Sequence, residues 1–354
     1  MVEPPAEPRS RPVLLAIDGN SLVHRAFHAQ ASTGLRGRDG RPLWALRGLL
    51  TQLVAAVERI GPSAVLVGFD DPDHSLRKQR WPQYKAGRGD KLEALVCQLA
   101  EAVAVLQRLG LAVVVPDGLE ADDVLASAAR FGRGRGAETV IVTSDRDAFA
   151  LIDDSTHVLR IINGGVEASP LLTAQRFELM QGITPQQYRD FAALRGDPSD
   201  NLPGVRGFGP KTAGRLLAAL GSVPAALADL AAGGERVSAA VGPALAARLA
   251  SPSARAAWEL NCQVMAMHDD VPLGLDLAGG SGVLPLPADS VRAAYAECQL
   301  TWTTPAALRA LAHVEGPPPE PPAQLWPGER SGTGGGRRLP PLPKKPIDHQ
   351  LSLF

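Results

Sequence analysis

Residues 117–129, DGLEADDVLASAA, place three carboxylates, Glu120, Asp122 and Asp123, at the start of a helical pattern. Apolar residues follow them at the spacing of a buried helix face. No Lys or Arg lies within residues 113–129, and carboxylates this close raise one another's pKa unless a cation neutralises them. The stretch therefore predicts either the start of a metal-binding helix or an acidic first turn favoured by the helix dipole.

Further acids follow short apolar runs elsewhere in the first half of the chain. Asp18 follows VLLAI, Asp70 follows AVLVGF, and Asp145 and Asp147 follow TVIVT. Strands are predicted at 13–17, 64–69, 112–115, 139–143 and 157–162, and helices at 21–29, 43–60, 91–109 and 149–152. This alternation predicts an α/β fold with a doubly wound, mostly parallel sheet, which places ligand chemistry at the carboxyl ends of its strands. Each isolated Asp could equally be a helix N-cap.

A basic segment occupies residues 71–91, DPDHSLRKQRWPQYKAGRGDK. Its cations are Arg77, Lys78, Arg80, Lys85, Arg88 and Lys91, and Trp81 and Tyr84 are interleaved with them. Clustered cations suit phosphate contacts, and aromatic rings suit stacking on unpaired bases. The alternative is a solvated basic loop.

The middle of the chain repeats the acid theme and adds a glycine-rich turn. Asp197 and Asp200 lie three residues apart. The turn contains Gly204, Gly207 and Gly209 and leads into a predicted helix at 211–220 that begins with Lys211 and Thr212. Backbone N–H groups and a helix N-terminus can face a phosphate there. The dinucleotide-binding and Walker A glycine spacings are both absent.

Composition sets the outer bounds. A chain of 354 residues with 45% apolar content predicts about two domains. No apolar run approaches the roughly 20 residues of a membrane span, and the polar N-terminus has no secretory pattern, which predicts a cytoplasmic protein. Three scattered cysteines argue against disulfides and zinc, and a net charge of −1 points to no partner by itself.

The second half offers weaker patterns. Residues 225–250 read as Ala-rich helix, 264–275 as an extended return toward the first domain, and 290–312 as closing helices. From residue 316 onward, ten prolines in 39 residues predict disorder. The last five residues, Gln350, Leu351, Ser352, Leu353 and Phe354, have the form of a short docking peptide.

Six motifs carry a resemblance to a known family: AIDGNSLVHRAFHA, FD, YKAGR, GLEADDVLA, TSDRDAFALI and LRGDPSDNLPGVRGFGPKTA. In this order they closely resemble the 5′-nuclease domain of bacterial DNA polymerase I and, more widely, the flap endonucleases, over about residues 13–312. The resemblance implies a PIN-like nuclease domain at 13–172 with a helical arch near 71–91. It also implies a helical helix-hairpin-helix subdomain at 173–312, with disordered segments at 1–12 and 313–354.

The resemblance implies hydrolysis of phosphodiesters in nicked, flapped or branched DNA during replication and repair. Two divalent ions, Mg²⁺ or Mn²⁺, are implied, the first at Asp18, Asp70, Glu120, Asp122 and Asp123 and the second at Asp145, Asp147, Asp197 and Asp200. Tyr84, Lys85 and Arg88 are implied to meet the scissile phosphate and its flanking base. Arg77, Lys78, Arg80 and Thr212 are expected to bind DNA, and the turn from Gly204 to Lys211 is expected to grip the duplex around a potassium ion.

The chain also departs from the polymerase family, because no polymerase region follows the nuclease motifs. It is therefore expected to be a stand-alone nuclease without polymerase activity. The protein is also expected to be monomeric and nucleoid-associated. The QLSLF peptide resembles those that dock on the bacterial β sliding clamp.

Two other functions remain open from sequence. A non-catalytic DNA-junction binder would recruit partners through the arch and the hairpin. A flavodoxin-like phosphoacceptor would use one aspartate at a strand end, but it leaves the basic segment and the second acid pair without a role.

Overall fold

A six-stranded sheet forms the centre of the computed structural model, which describes residues 11–89 and 92–315. The strand order is β3-β2-β1-β4-β5-β6; the first five strands are parallel and β6 is antiparallel. The strands are β1 Val13–Asp18, β2 Ala64–Gly68, β3 Ala112–Val114, β4 Glu138–Thr143, β5 Thr156–Arg160 and β6 Leu171–Leu172. The predicted doubly wound, mostly parallel sheet is confirmed.

Helices cover both faces of this sheet, which explains why its central strands are apolar throughout. Every residue of β1 is buried, as expected for a strand enclosed on both sides. Leu15 and Ile17 face one core cluster, in which Leu53 of the helix Trp44–Ile60 also packs. Leu14 faces the opposite cluster together with Val124 of the helix Ala121–Gly134.

The helices and minor elements follow the predicted order closely in the first half of the chain. The α-helices are α1 Gly19–Gln30, α2 Trp44–Ile60, α3 Leu76–Arg80, α4 Glu93–Leu109, α5 Ala121–Gly134, α6 Gly165–Ala168, α7 Ala174–Gln181, α8 Tyr188–Arg195, α9 Pro210–Leu220, α10 Val223–Ala231, α11 Glu235–Val241, α12 Pro243–Leu249, α13 Pro252–Val264, α14 Ala288–Glu297 and α15 Thr304–Ala312. Short 3₁₀ helices span Ala31–Thr33, Asp147–Leu151, Pro185–Gln187 and Pro198–Asp200, and β7 Gly196–Asp197 pairs with β8 Leu202–Pro203.

Residues 225–250 are mostly helical, as predicted, but they do not form one continuous helix. The segment forms three short helices, α10 to α12, because glycines interrupt it. Gly233, Gly234 and Gly242 have φ angles of 121°, 72° and 88°, a region that an α-helix does not use.

The packing of α14 and α15 differs from the predicted grouping of residues 173–312. Val291 and Tyr295 of α14 and Leu311 of α15 belong to the same core cluster as Leu53 of α2 and Leu106 of α4. The closing helices thus complete the core of the sheet-containing part of the chain, although they follow the helical region in sequence.

The extended return predicted at residues 264–275 is confirmed beyond the end of α13 at Val264. The backbone N–H of His268 donates to Asp123 Oδ1 at 2.8 Å, and that of Val271 donates to Ser127 Oγ at 3.0 Å. Both acceptors lie on α5, so the chain returns to the helix that contains the acid-rich stretch.

Within the described residues, no single helix is long and apolar enough to span a bilayer. Among these residues, α9 and α10 reach the required length and apolar composition only when they are taken together, and the pair is bent by 72°. The predicted docking peptide, residues 350–354, lies outside the described residues.

Candidate active site

The candidate site lies where the connections from the central strands diverge. The neighbouring strands β1 and β4 end at Asp18 and Thr143, and Thr143 Oγ1 donates to Asp18 Oδ2 at 2.7 Å. Beyond them, the hydroxyl groups of Ser21 and Ser144 are 2.6 Å apart. The crevice at such a divergence, outside the carboxyl ends of the strands, is the usual ligand site of open α/β sheets.

Most of the predicted acids converge on this crevice. A cavity of about 1320 Å³ is lined by Asp18, Asp70, Glu120, Asp122 and Asp145. A smaller adjoining pocket is lined by Glu120, Asp122, Asp145, Asp147 and Asp200. Asp197 is close enough for its charge to raise the pKa of Asp147. Acids from distant parts of the sequence therefore form one anionic centre.

Burial and mutual repulsion make full ionisation of this centre unfavourable. Burial, partly offset by hydrogen bonds from Ser21 and Thr143, raises the pKa of Asp18 to about 7, and the charges of Asp70 and Asp145 add to the increase. Burial and neighbouring carboxylates raise the pKa of Asp147 to about 7 and that of Asp122 well above its ordinary value. Bound cations would remove this repulsion.

The donors of this centre fit a hard divalent ion. The predicted ligands are all carboxylate oxygens, which favour Mg²⁺ or Mn²⁺ over softer metals. Three histidines, His24, His28 and His74, also line the cavity. Among the described residues, however, these acids do not form a group of three ligand atoms within 4.8 Å of one another. Wider spacing is compatible with Mg²⁺, which usually keeps several of its waters.

A tighter group of possible ligands, which the sequence did not single out, lies at the cavity rim. One ligand atom from each of Asp71, His74 and Asp117 lies within 4.8 Å of the others. Asp71 already accepts hydrogen bonds from the backbone N–H groups of Gly118, Asp73 and His74. His74 and Asp117 are exposed, so this group is adequately explained as a loop-stabilising turn.

Asp123 is not placed to bind a metal, and this corrects the prediction. Its carboxylate is fully buried and accepts two hydrogen bonds from Arg77, at 2.8 and 2.7 Å. The backbone N–H groups of Glu120 and His268 also donate to it. Asp123 therefore stabilises the start of α5 and the return segment.

Arg77 is likewise not a DNA-binding residue in this structure. Its side chain is 9% exposed and contacts Glu120 Oε2 at 3.1 Å in addition to Asp123. Its remaining N–H groups donate to the carbonyl groups of Val264 and Ala266. The sequence failed to show this pairing because the cation lies more than forty positions from the acids it neutralises.

Tyr84 does not offer its ring as a stacking platform in this structure, contrary to the prediction. The residue is 6% exposed and packs against Leu202 and Val264. Its hydroxyl donates to Glu120 Oε2 at 3.0 Å. Tyr84 lines the smaller pocket and positions Glu120, a predicted metal ligand.

Lys85 and Arg88, which the family resemblance places at the scissile phosphate, reach the acid centre. Lys85 Nζ lies 3.1 Å from Glu120 Oε1, and the Arg88 guanidinium contacts Asp200. Lys85 has a φ angle of 55°, which is uncommon for a residue with a side chain. Its backbone N–H donates to the Asp200 carbonyl at 2.9 Å, so contacts at both of its ends maintain this conformation.

The outer part of the basic segment remains available to a polyanion. Lys78 and Arg80 are exposed, and the Arg80 guanidinium lies 4.8 Å from the centre of the Trp81 ring. Lys78 lines the large cavity. These two cations, unlike Arg77, retain the predicted accessibility; Lys91 lies outside the described residues.

The glycine-rich turn connects α8 to α9 through the β7–β8 hairpin. Gly207, with a φ angle of 91°, Gly209 and Lys211 are exposed, while Thr212 is half-buried. Gly204 has a different role, because a Cβ there would lie 2.1 Å from the Arg195 carbonyl oxygen. Gly204 therefore permits close packing of the backbone, and the exposed part of the turn begins beyond it.

Sequence reasoning missed two side chains that orient the predicted ligands. Asn20 Nδ2 donates to Asp70 Oδ2 at 2.7 Å, and Asn20 Oδ1 accepts from the Asp70 backbone N–H. Thr143 binds Asp18 as described above. Asn20 lies two residues after Asp18, and Thr143 ends β4 at the crevice. These positions in the sequence are the signal by which both residues could have been predicted.

The metal-free protein is expected to lose stability as pH rises from about 4 to about 7. Asp18 and Asp147 have folded-state pKa values of about 7, above the ordinary 3.8. Between these values the folded state keeps protons that the unfolded state has released, so increasing pH favours unfolding. Thermal melting in EDTA measures this effect, and Mg²⁺ should raise the melting temperature more at the higher pH. A melting temperature that increased with pH in EDTA would contradict these shifts.

Comparison with known proteins identifies the class. Residues 13–180 match the 5′-3′ exonuclease N-terminal resolvase-like domain, and residues 183–281 match the 5′-3′ exonuclease C-terminal SAM fold. The chain belongs to the 5′-3′ exonuclease family.

Its curated relatives include much longer proteins. The chain is 39% identical over 247 residues to DNA polymerase I of Mycobacterium tuberculosis H37Rv, covering 70% of this chain and 27% of the relative. It is 37% identical over 272 residues to the thermostable DNA polymerase I of Thermus aquaticus, covering 77% of this chain and 30% of the relative. The matched region thus spans less than a third of each relative.

Solved structures share the fold at low sequence identity. T5 D15 protein, co-crystallised with metal ions, is 16% identical with a TM-score of 0.50, covering 72% of this chain and 100% of that one. The catalytic core of Rad2, in complex with DNA substrate, is 17% identical with a TM-score of 0.53, covering 85% and 92%. The resolvase-like and helical architecture is therefore common to all three.

Proposed function

We propose that this protein is a Mg²⁺- or Mn²⁺-dependent, structure-specific 5′ nuclease that cuts phosphodiesters in nicked, flapped or branched DNA. The observation that carries the proposal is the convergence of Asp18, Asp122 and Asp145 on one cavity, beside three cations of the basic segment. Membership of the 5′-3′ exonuclease family supports the same reaction.

Two groups of acids would hold the two ions. The first comprises Asp18, Asp70, Glu120 and Asp122, and the second Asp145, Asp147, Asp197 and Asp200. Divalent ions supply activation of a water and stabilisation of the leaving oxygen in an in-line displacement at phosphorus. Asn20 and Thr143 would maintain the orientation of Asp70 and Asp18 before substrate binds.

Lys85 and Arg88 are the proposed phosphate contacts at the reacting centre. Both are paired with carboxylates in this structure. Ions bound to Glu120 and Asp200 would compete for those carboxylates and allow the two cations to contact DNA. In that position they would stabilise negative charge that develops on the phosphate.

The remaining contacts would hold the duplex. Lys78 and Arg80 offer exposed positive charge on α3, and the turn from Gly207 to Thr212 offers an exposed helix start. Backbone N–H groups at such a turn suit phosphate oxygens, and a potassium ion is proposed there by family resemblance. Because the active site itself is acidic, it repels the DNA backbone. Positive charge and N–H donors around the site are therefore needed to attract the DNA.

Incubation of a 5′-flap duplex with Mg²⁺ and with EDTA tests the function. Cleavage with Mg²⁺ and intact DNA with EDTA is the expected result. The alternative, a non-catalytic junction binder, predicts binding under both conditions and cleavage under neither. That outcome would overturn the nuclease proposal while preserving the DNA interface.

Lys85→Ala is expected to slow the chemical step by about a hundredfold to a thousandfold, the usual effect of losing an electrostatic donor in a transition state. Affinity for the flap duplex should change much less. Single-turnover cleavage and a binding titration in Ca²⁺ separate the two quantities. Lys78→Ala is the matched control, because it removes the same charge from an exposed position on the same segment. Equal slowing by both variants would show that Lys85 contributes only general attraction.

We also propose that Gln350 to Phe354 bind a β sliding clamp. The basis is the pattern of large apolar residues in QLSLF after a Pro- and Gly-rich stretch, a form suited to docking of a short peptide. Deleting these five residues should abolish retention on immobilised clamp and leave cleavage of an oligonucleotide flap unchanged. Unchanged retention would disprove the assignment.

A further inference from the structure

A second group of cations lies beside the acid centre and has no role in the proposal above. Arg160 ends β5, directly opposite Thr143 at the end of β4. Arg146 stands in the loop after β4, between Asp145 and Asp147. Arg25 projects from α1 and donates to Asn163 Oδ1 at 3.0 Å. We call Arg25, Arg146 and Arg160 the arginine cluster.

The members of the arginine cluster lack close acidic partners. In the part of the chain that the structure describes, none of the three has a carboxylate oxygen within 4.0 Å. By contrast, Arg77, Lys85 and Arg88 all have one. The positive charge of the cluster is therefore not balanced by direct ion pairs.

The surroundings of Arg160 suit an anion, and its guanidinium lies over the Phe149 ring, 5.9 Å from the ring centre. Its Nε is buried and lacks a hydrogen-bond partner among the described residues, which is costly for a charged donor. Burial, and then the charge of Arg146, lowers the pKa of Arg160; Arg25 adds to the decrease, and Tyr188 opposes it. Like charges held together in this way favour an anion that can accept from them.

The cavity reaches this cluster through Arg25, whereas Arg146 and Arg160 are not among the residues that line it. Arg25 and Asn163 line the same space as Asp18, Asp70 and Asp145. A strand bound across the acids could therefore place one of its phosphates against Arg25 and Asn163, where the charges of Arg146 and Arg160 would also attract it. Lys85 and Arg88 belong to a different segment of the chain, so the two groups of cations can contact different phosphates.

We propose that the arginine cluster, with Asn163, binds a phosphate group of the DNA substrate beside the metal-binding acids. The identification of that phosphate as part of DNA rests on the proposed nuclease function. Guanidinium groups bind phosphate through paired N–H donors. Three of them suit either a terminal 5′-phosphate, which carries close to two negative charges, or a phosphodiester within the strand.

A direct test uses inorganic phosphate, which requires neither cleavage nor DNA. The melting temperature is measured in EDTA at increasing concentrations of phosphate. Chloride at the same ionic strength is the reference. The apparent affinity of Arg160→Gln is expected to be about tenfold to a hundredfold weaker than that of the wild type, the effect of losing a charge-assisted hydrogen bond. Arg189→Gln, which removes an exposed arginine from α8, should bind like the wild type.

Arg146→Gln repeats the measurement at an exposed position in case Arg160→Gln lowers the stability of the fold. Phosphate affinities that are the same in the wild type and both cluster variants would overturn the proposal. So would the absence of any phosphate-specific effect on the wild type.

Two DNA substrates then distinguish the sources of the phosphate. Binding of flap duplexes with a 5′-phosphate or a 5′-hydroxyl is measured in Ca²⁺. A terminal site predicts that the wild type prefers the 5′-phosphate and that Arg160→Gln loses this preference. An internal site predicts equal weakening of both substrates by Arg160→Gln.

If Arg160→Gln and Arg189→Gln bind both substrates alike, the site does not serve DNA and the proposal fails. Wild-type protein that binds phosphate and DNA through the cluster yet leaves the flap intact with Mg²⁺ would contradict the nuclease function alone.

Discussion

The double substitution Asp145→Asn and Asp147→Asn is expected to reduce single-turnover cleavage of a 5′-flap duplex by about a thousandfold or more. A catalytic metal ion contributes several kcal/mol of transition-state stabilisation, and about 1.4 kcal/mol corresponds to a tenfold change in rate. Asparagine keeps nearly the same volume and one oxygen, so the hydrogen bond from the Asp147 backbone N–H to the side chain of residue 145 can be retained.

Stability provides an independent readout for the same variant. Asp145 and Asp147 both raise the pKa of Asp122 through their charges. Removing those charges should therefore leave the metal-free protein at least as stable as the wild type near neutral pH, because repulsion within the centre decreases. Loss of cleavage together with a retained melting temperature would assign the effect to metal binding and not to unfolding.

Asp154→Asn supplies the matched control. Asp154 is exposed on a turn before β5, and its substitution should leave both cleavage and stability unchanged. If the double variant cuts at the wild-type rate, the second group of acids does not hold a catalytic ion.

Arg77→Met is expected to lower the free energy of unfolding by about 3–5 kcal/mol, because it leaves the buried Asp123 carboxylate without its cation. The guanidinium also joins α3 to the return segment through the carbonyl groups of Val264 and Ala266. Urea denaturation, followed by tryptophan fluorescence and far-ultraviolet circular dichroism, measures the loss.

Two further variants define the origin of this effect. Lys78→Met removes the neighbouring, exposed cation and should change the free energy of unfolding by less than about 0.5 kcal/mol, as is usual for surface sites. Adding Asp123→Asn to Arg77→Met should restore part of the stability, since the unpaired charge is removed while the side-chain oxygen can still accept from a backbone N–H. Equal losses for Arg77→Met and Lys78→Met would refute the buried ion pair.

The sheet and its acids could be predicted from the sequence because both depend on local pattern. Apolar runs such as VLLAI have the length of strands, and parallel strands bring their carboxyl ends to one edge of a sheet. The convergence of Asp18 with Asp145 follows from that geometry alone. Gly233 and Gly242 indicate helix breaks in the sequence, but the Ala-rich composition of the segment favours a prediction of helix throughout.

The errors concern residues whose role depends on distant partners. Arg77 and Lys78 are adjacent cations on a short helix, and only the position of α5 decides that one is buried and the other exposed. An aromatic residue among cations, such as Tyr84, suggests stacking on bases. In the structure, however, the Tyr84 hydroxyl donates a hydrogen bond to the buried Glu120. Burial of a polar side chain requires a partner, and such partners are set by tertiary packing.

The late position of α14 and α15 in the sequence has a consequence during synthesis. Their apolar faces close the core over α2 and α4, so a nascent chain that had reached only residue 281 would expose that surface to solvent. The apolar surface therefore stays exposed until nearly the whole described region has left the ribosome. Until then, a chaperone or another unfolded chain can bind it.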